Sequence, residues 1–293
     1  MREDPILLAV YSSSFECPTK TLAAFFTQFF GGPREYEPRR WSLSLREAHQ
    51  RFSIGERERV AWLRAMERAL ADVRIEESTR GALHWFFAQS SAFLINQPAG
   101  APDAPIPSLE PPNEGPQLRE IRQRWQELRA LEEMIAALRL GRVGAVLESL
   151  QSPLIEACFS RDRAAFLSFL ALLQSSGQPA LLDYARLELL RSPGLVAQTY
   201  GAGRTLLHDV AGQGSPGAVE LLIQLGADPN ARDDLERTPC IMSAMRCMHP
   251  LAPMLYAPSF TEELISMPRK SSGVAARCTW LRAAETCRWR RRC

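Results

Sequence analysis

Seven prolines fall within 19 residues, at Pro98, Pro102, Pro105, Pro107, Pro111, Pro112 and Pro116. Proline has no backbone N–H and a fixed φ, so neither a helix nor a central strand can run through such a stretch. It reads as an extended linker. The chain has 293 residues, and single cores stop growing near about 250, so two folded parts are expected. The divisions are an N-terminal domain over residues 1–96, a Pro-rich linker over 97–117, a helical-repeat region over 118–245 and an aperiodic tail over 246–293.

The N-terminal part reads as helical throughout. From a Thr19 cap, Leu22, Phe25, Phe26 and Phe29 recur at spacings of three and four and form one apolar stripe. Gly31-Gly32 ends that helix and Pro33 forbids its continuation. Ser53-Ile54-Gly55-Glu56 has the spacing of a capping box. The helix it opens carries Leu63, Met66, Leu70 and Val73 on one face. A last helix from about Ser78 to Asn96 turns Leu83, Phe86, Phe87, Ser90 and Leu94 inward, with His84 one position off the stripe and expected at the surface.

Taken together, Gly31-Gly32-Pro33, Tyr36, Leu45-Arg46, His49, Phe52, Ile54 and the run Glu58-Arg59-Val60-Ala61-Trp62-Leu63-Arg64-Ala65-Met66 resemble a group II truncated haemoglobin, a bacterial globin, over residues 19–96. The resemblance implies haem b, with His49 as the proximal ligand of the iron and a diatomic gas such as O₂ as the exchangeable ligand. It also implies an apolar distal position at Phe25 or Phe26, Phe52 and Ile54 shielding the imidazole edge, Arg46 within reach of a propionate, and Trp62 over the haem. Haem iron requires a neutral imidazole held by a neighbouring acceptor, which suits a histidine on a short helix. The sequence departs from the family where Gly-His-Pro is absent and Ala48 stands in place of a second arginine. Little sequence precedes the Gly-Gly-Pro helix, so the resemblance is to an N-terminally shortened globin. The same phenylalanine stripe also reads as ordinary core.

Beyond the prolines the pattern changes to helix pairs. Trp125, Leu128, Leu131, Ile135 and Leu138, then Val143, Val146, Leu147 and Leu150, give two helices broken at Gly141. A further pair follows around Leu154–Cys158 and Phe166–Leu170. The stretch GRTLLHDVAGQGSPGAVELLIQLGADPN, residues 203–230, resembles an ankyrin repeat, with Gly203, Thr205, Leu207, His208, Ala211, Gly214, Val219, Leu222, Gly226, Ala227, Asp228 and Asn230 in register. Thr238-Pro239 recurs 33 residues after Thr205. What this implies is a protein partner bound without chemistry, and a turn-network role for His208. The fold class is therefore all-α: a partial truncated-globin domain plus ankyrin-type repeats.

Composition narrows the classes further. Net charge is +2, but residues 269–293 hold eight cations against Glu285, or +7, which leaves about −5 for the remainder. The body therefore gives no reason to expect a nucleic-acid or membrane partner. Seven cysteines lack CxxC or Cys/His spacing. There is no signal pattern and no apolar run of about 18 residues, so the expected location is cytoplasmic. No carboxylate pair, Ser/His/Asp set or phosphate loop has usable spacing, so the expected activity is binding, not turnover. The competing reading is a haem-free ankyrin adaptor with a degenerate globin remnant.

Overall fold

The computed structural model describes residues 4–11, 16–40, 42–98 and 115–248. The linker between 99 and 114 and the basic tail from 249 onward lie outside the described residues. The fold is all-α, with thirteen α-helices and no strand among the described residues. They are α1 (Pro5–Val10), α2 (Glu16–Phe29), α3 (Leu45–His49), α4 (Glu56–Ala71), α5 (Glu77–Phe93), α6 (Pro116–Arg139), α7 (Val143–Ser149), α8 (Pro153–Arg161), α9 (Arg163–Ser175), α10 (Pro179–Arg191), α11 (Leu206–Gln213), α12 (Pro216–Gln224) and α13 (Pro239–Met248). The chain divides into two compact units: one holds α1 to α6 and α8, the other α9 to α13.

In the first unit, α4 and α5 pack together and α6 packs on α5. Leu63, Leu70, Ala82, Phe86, Phe87, Phe93, Leu118, Ile121 and Trp125 are buried in one cluster. Helix α2 reaches this core through Phe25, Phe26 and Phe29, joined by Phe30 just past its end. It starts at Glu16, ahead of the expected Thr19 cap. It stops as read: Gly31 takes φ +96°, and the N–H of Gly32 donates to the Thr27 carbonyl at 2.8 Å, a Schellman turn that only glycine enters without strain.

The capping box shifts by two residues. Helix α4 begins at Glu56 with Gly55 as its N-cap, and only the N3 half of a box forms, Gly55 N–H to Glu58 Oε2 at 2.8 Å. Ser53 is excluded because the next residue, Ile54, is bonded to the chain after α5 and not to the helix: its N–H donates to Asn96 Oδ1 and its carbonyl accepts from the N–H of Asn96 and Gln97, at 2.9 to 3.1 Å. Val73, placed on the inward stripe by spacing, lies past the end of α4 and is 53% exposed. His84 is not at the surface; it is half-buried, and its Nε2 is shielded without a hydrogen-bond partner among the described residues.

The second unit is built of packed helix pairs. Helix α11 packs against α9, α12 and α13, and α10 packs against α9. Phe169, Leu170, Leu173, Leu207, Val210 and Leu222 are almost fully buried. Each pair has one apolar face and must stack to bury it. Gly214, at φ +72°, is the left-handed cap that ends α11 and permits the turn into α12.

Candidate functional site

The short helix α3 carries His49 and has five residues, too few to hold itself in water. Its anchors are therefore external. At the N-terminus, Ser44 Oγ accepts from the Glu47 N–H at 3.0 Å and donates to Glu132 Oε2 of α6 at 2.7 Å. The Leu45 N–H also donates to the Glu132 carboxylate. Glu47 accepts from Ser42 Oγ at 3.0 Å and from Arg139 of α6 at 2.7 and 3.1 Å. Burial raises the Glu47 carboxyl, but the Arg139 guanidinium and Ser42 outweigh it and hold it below the usual range. Beyond His49 the chain is tied by Asn96, whose Nδ2 donates to the Phe52 carbonyl at 2.8 Å.

Within α3 the imidazole of His49 is oriented from behind. Its Nδ1 lies 2.7 Å from the Leu45 carbonyl oxygen. A carbonyl only accepts, so Nδ1 carries the proton and Nε2 holds the lone pair. Burial favours the neutral ring and lowers the pKa, with Arg51 pushing the same way against the Leu45 bond. Phe52 lies beside the ring with centroids 6.2 Å apart. The side chain is thus a neutral, oriented nitrogen donor.

The other candidates fall in two places. Phe26 packs on Phe87 at 5.3 Å, Phe29 stacks on Phe86 at 4.6 Å, and Trp62 meets Phe87 edge-on at 5.6 Å. Phe25 meets Phe26 and, at right angles, Tyr36. Phe25, Phe26 and Trp62 therefore share one aromatic cluster, whereas His49 pairs with Phe52. Arg46 is turned toward the end of α5: its Nε donates to the Phe93 carbonyl at 3.1 Å, and its guanidinium lies 4.0 Å over the Phe93 ring.

In the second unit His208 is fully buried and is held in the opposite tautomer. Its Nδ1 accepts from the Thr205 N–H at 3.1 Å, which leaves Nε2–H to donate to the Arg237 carbonyl at 3.0 Å. Arg237 in turn pairs with buried Asp233 at 2.6 Å. This network joins the opening of α11 to the turn before α13.

Residues 1–91 match the family model for bacterial-like globins, and residues 202–234 match the model for the ankyrin repeat. The chain carries a bacterial-like globin domain followed by an ankyrin repeat. No solved structure matches it. In the ankyrin repeat, His208 bonds back to Thr205 at the start of α11, and α13 opens at Pro239, after a threonine 33 residues beyond Thr205. In the globin domain, His49 has the donor chemistry that a haem needs: a neutral imidazole with its back nitrogen on a carbonyl and its front nitrogen carrying a lone pair. The phenylalanines of α2 and Trp62 supply apolar ring surface. Among the described residues no cluster of three or more His, Cys, Asp or Glu could hold a metal ion, and no helix is long and apolar enough to cross a membrane.

Spacing alone did not find Glu132, Arg139 or Asn96. All three act through partners 42 to 92 residues away. Only Asn96 had a local signal, as a capping type just past a helix end.

Proposed function

We propose that the globin domain binds haem b through His49 and that the ankyrin repeat docks a protein partner, in a chain that works in the cytoplasm. The observation that supports this reading is the 2.7 Å contact from His49 Nδ1 to the Leu45 carbonyl, which leaves Nε2 as the lone-pair nitrogen of a neutral imidazole that would hold the iron. Haem, when bound, supplies an iron centre that takes O₂ or another diatomic gas, the starting point for sensing or for removal of nitric oxide or peroxide. Phe52 shields the imidazole edge, Phe25, Phe26 and Trp62 offer apolar walls, and Arg46 would supply a cation for a propionate. For Arg46 that role requires giving up its bond to Phe93.

The test is spectroscopic. The full chain reconstituted with haem is expected to show a Soret band that is lost in His49→Ala. A colourless wild type with intact helical circular dichroism refutes haem binding.

The second reading, a haem-free adaptor, is favoured by a different observation: Phe26 and Trp62 both rest on Phe87, so the walls already have a partner. The same experiment decides between the two, since an adaptor remains colourless.

A further inference from the structure

Helix α6 begins 25 residues after the end of the globin family match, yet it makes polar contacts with α2 and α3, two of the helices that bear candidate site residues. Arg124 Nη1 donates to the Phe29 carbonyl at the C-terminus of α2, at 2.5 Å. Glu132 accepts from Ser44 and Leu45 at the N-terminus of α3. Arg124 and Glu132 are eight residues apart, about 12 Å along the helix. One rigid rod therefore holds the last turn of the phenylalanine helix and the first turn of the histidine helix.

Each contact suits its end. The last carbonyls of a helix lack intrahelical donors and the first N–H groups lack acceptors; a guanidinium supplies the former and a carboxylate the latter. Glycine at position 31 is part of this fit, since a Cβ there would stand 3.0 Å from Arg124 Nη2. Leu45 is the link to the imidazole: its N–H is bonded to Glu132 and its carbonyl to His49 Nδ1. With the N–H and the carbonyl of one residue engaged, on the two peptide units that meet at its Cα, a shift of Glu132 moves the acceptor that orients the histidine.

We infer that α6 is the element that aims His49, with Glu132 as the positioning residue for the histidine helix and Arg124 as its counterpart on α2. The inference takes His49 as the functional donor proposed above, and assigns a role within the globin site to residues outside the globin family match. Glu132 is almost wholly buried, and no ligand needs to touch it. Arg139 on Glu47 is a second, more exposed tie on the same side of α3.

The test reads the imidazole without haem. In the full chain carrying ¹⁵N-labelled histidine, His49 of the wild type is expected to be chiefly the Nδ1–H tautomer. In Glu132→Ala the ratio of Nδ1–H to Nε2–H should fall by about fivefold, the loss of one net hydrogen bond. Glu132→Gln, which keeps one acceptor oxygen, should restore part of it, and Glu133→Ala, on the same helix but paired with Arg129, should change nothing. Where Glu132→Ala does not fold, Glu132→Asp, one methylene short, is read by the same criterion. A folded Glu132→Ala, or Glu132→Asp in its place, with the wild-type ratio overturns the inference. A wild type that takes up no haem refutes haem ligation but leaves the brace standing, so the two failures are told apart.

Discussion

Trp125 stands edge-on to Phe86, with ring centroids 5.8 Å apart and planes at 88°. The same indole meets Phe93 at 5.6 Å and 89°. Perpendicular aromatic pairs add stability beyond their burial, so α6 is keyed into the core of the globin unit and does not merely follow it. Trp125→Ala should cost about 3 to 5 kcal/mol, measured by denaturant unfolding of the first unit. A cost below about 1 kcal/mol would show that α6 is dispensable to that core.

Acidification should loosen the globin unit through His49. Burial lowers its folded pKa below the ordinary 6.5. Between the folded value and 6.5 the unfolded chain binds more protons than the folded one, so stability rises with pH there. It is fully present above 6.5 and is lost as pH falls through the lower folded value. Comparing wild type with His49→Gln across that window should show a pH slope in the first that is reduced in the second; equal slopes would assign the titration to other groups.

Gly31→Ala should destabilise by about 1 to 2 kcal/mol, because φ of +96° puts Cβ against the carbonyl. The added methyl also meets Arg124, so the double variant Gly31→Ala, Arg124→Ala should be less than additive. Full additivity in thermal melts would mean that the two residues do not interact.

The ankyrin unit has its own lever. His208→Ala leaves the Thr205 N–H buried without its acceptor and removes one of the donors to the Arg237 carbonyl, at a cost of about 1 to 3 kcal/mol. Hydrogen exchange should quicken from Thr205 through Met242, where α11 and α13 pack. Unchanged exchange in α13 would remove His208 as the tie between them.

Much of this was readable because the information is local. Gly31-Gly32-Pro33 ends a helix by backbone geometry alone, the stripes of α4 and α5 follow from spacing, and Thr205–His208 is a contact over one turn. The cap of α4 was misplaced because Ser53-x-x-Glu56 is a legitimate local signal, and what defeats it is Asn96, 42 residues on. His84 looked exposed because a stripe marks the centre of a buried face and not its margin. Glu132 and Arg124 look like solvent-facing charges on a long amphipathic helix, and only their distant partners give them a role. Val73 failed for a simpler reason, since the helix ends at Ala71 before the stripe reaches it.

Glu132 meets Ser44 across 88 residues of chain, and Arg139 meets Glu47 across 92. On a ribosome this separation becomes a delay. Helices α4 and α5 are sequence neighbours and can close as soon as both have emerged, whereas α3 waits for α6. At about 5 to 20 residues per second, translation needs roughly 5 to 20 s to cover that distance. During that interval the nascent chain holds a histidine that has been made but not yet aimed.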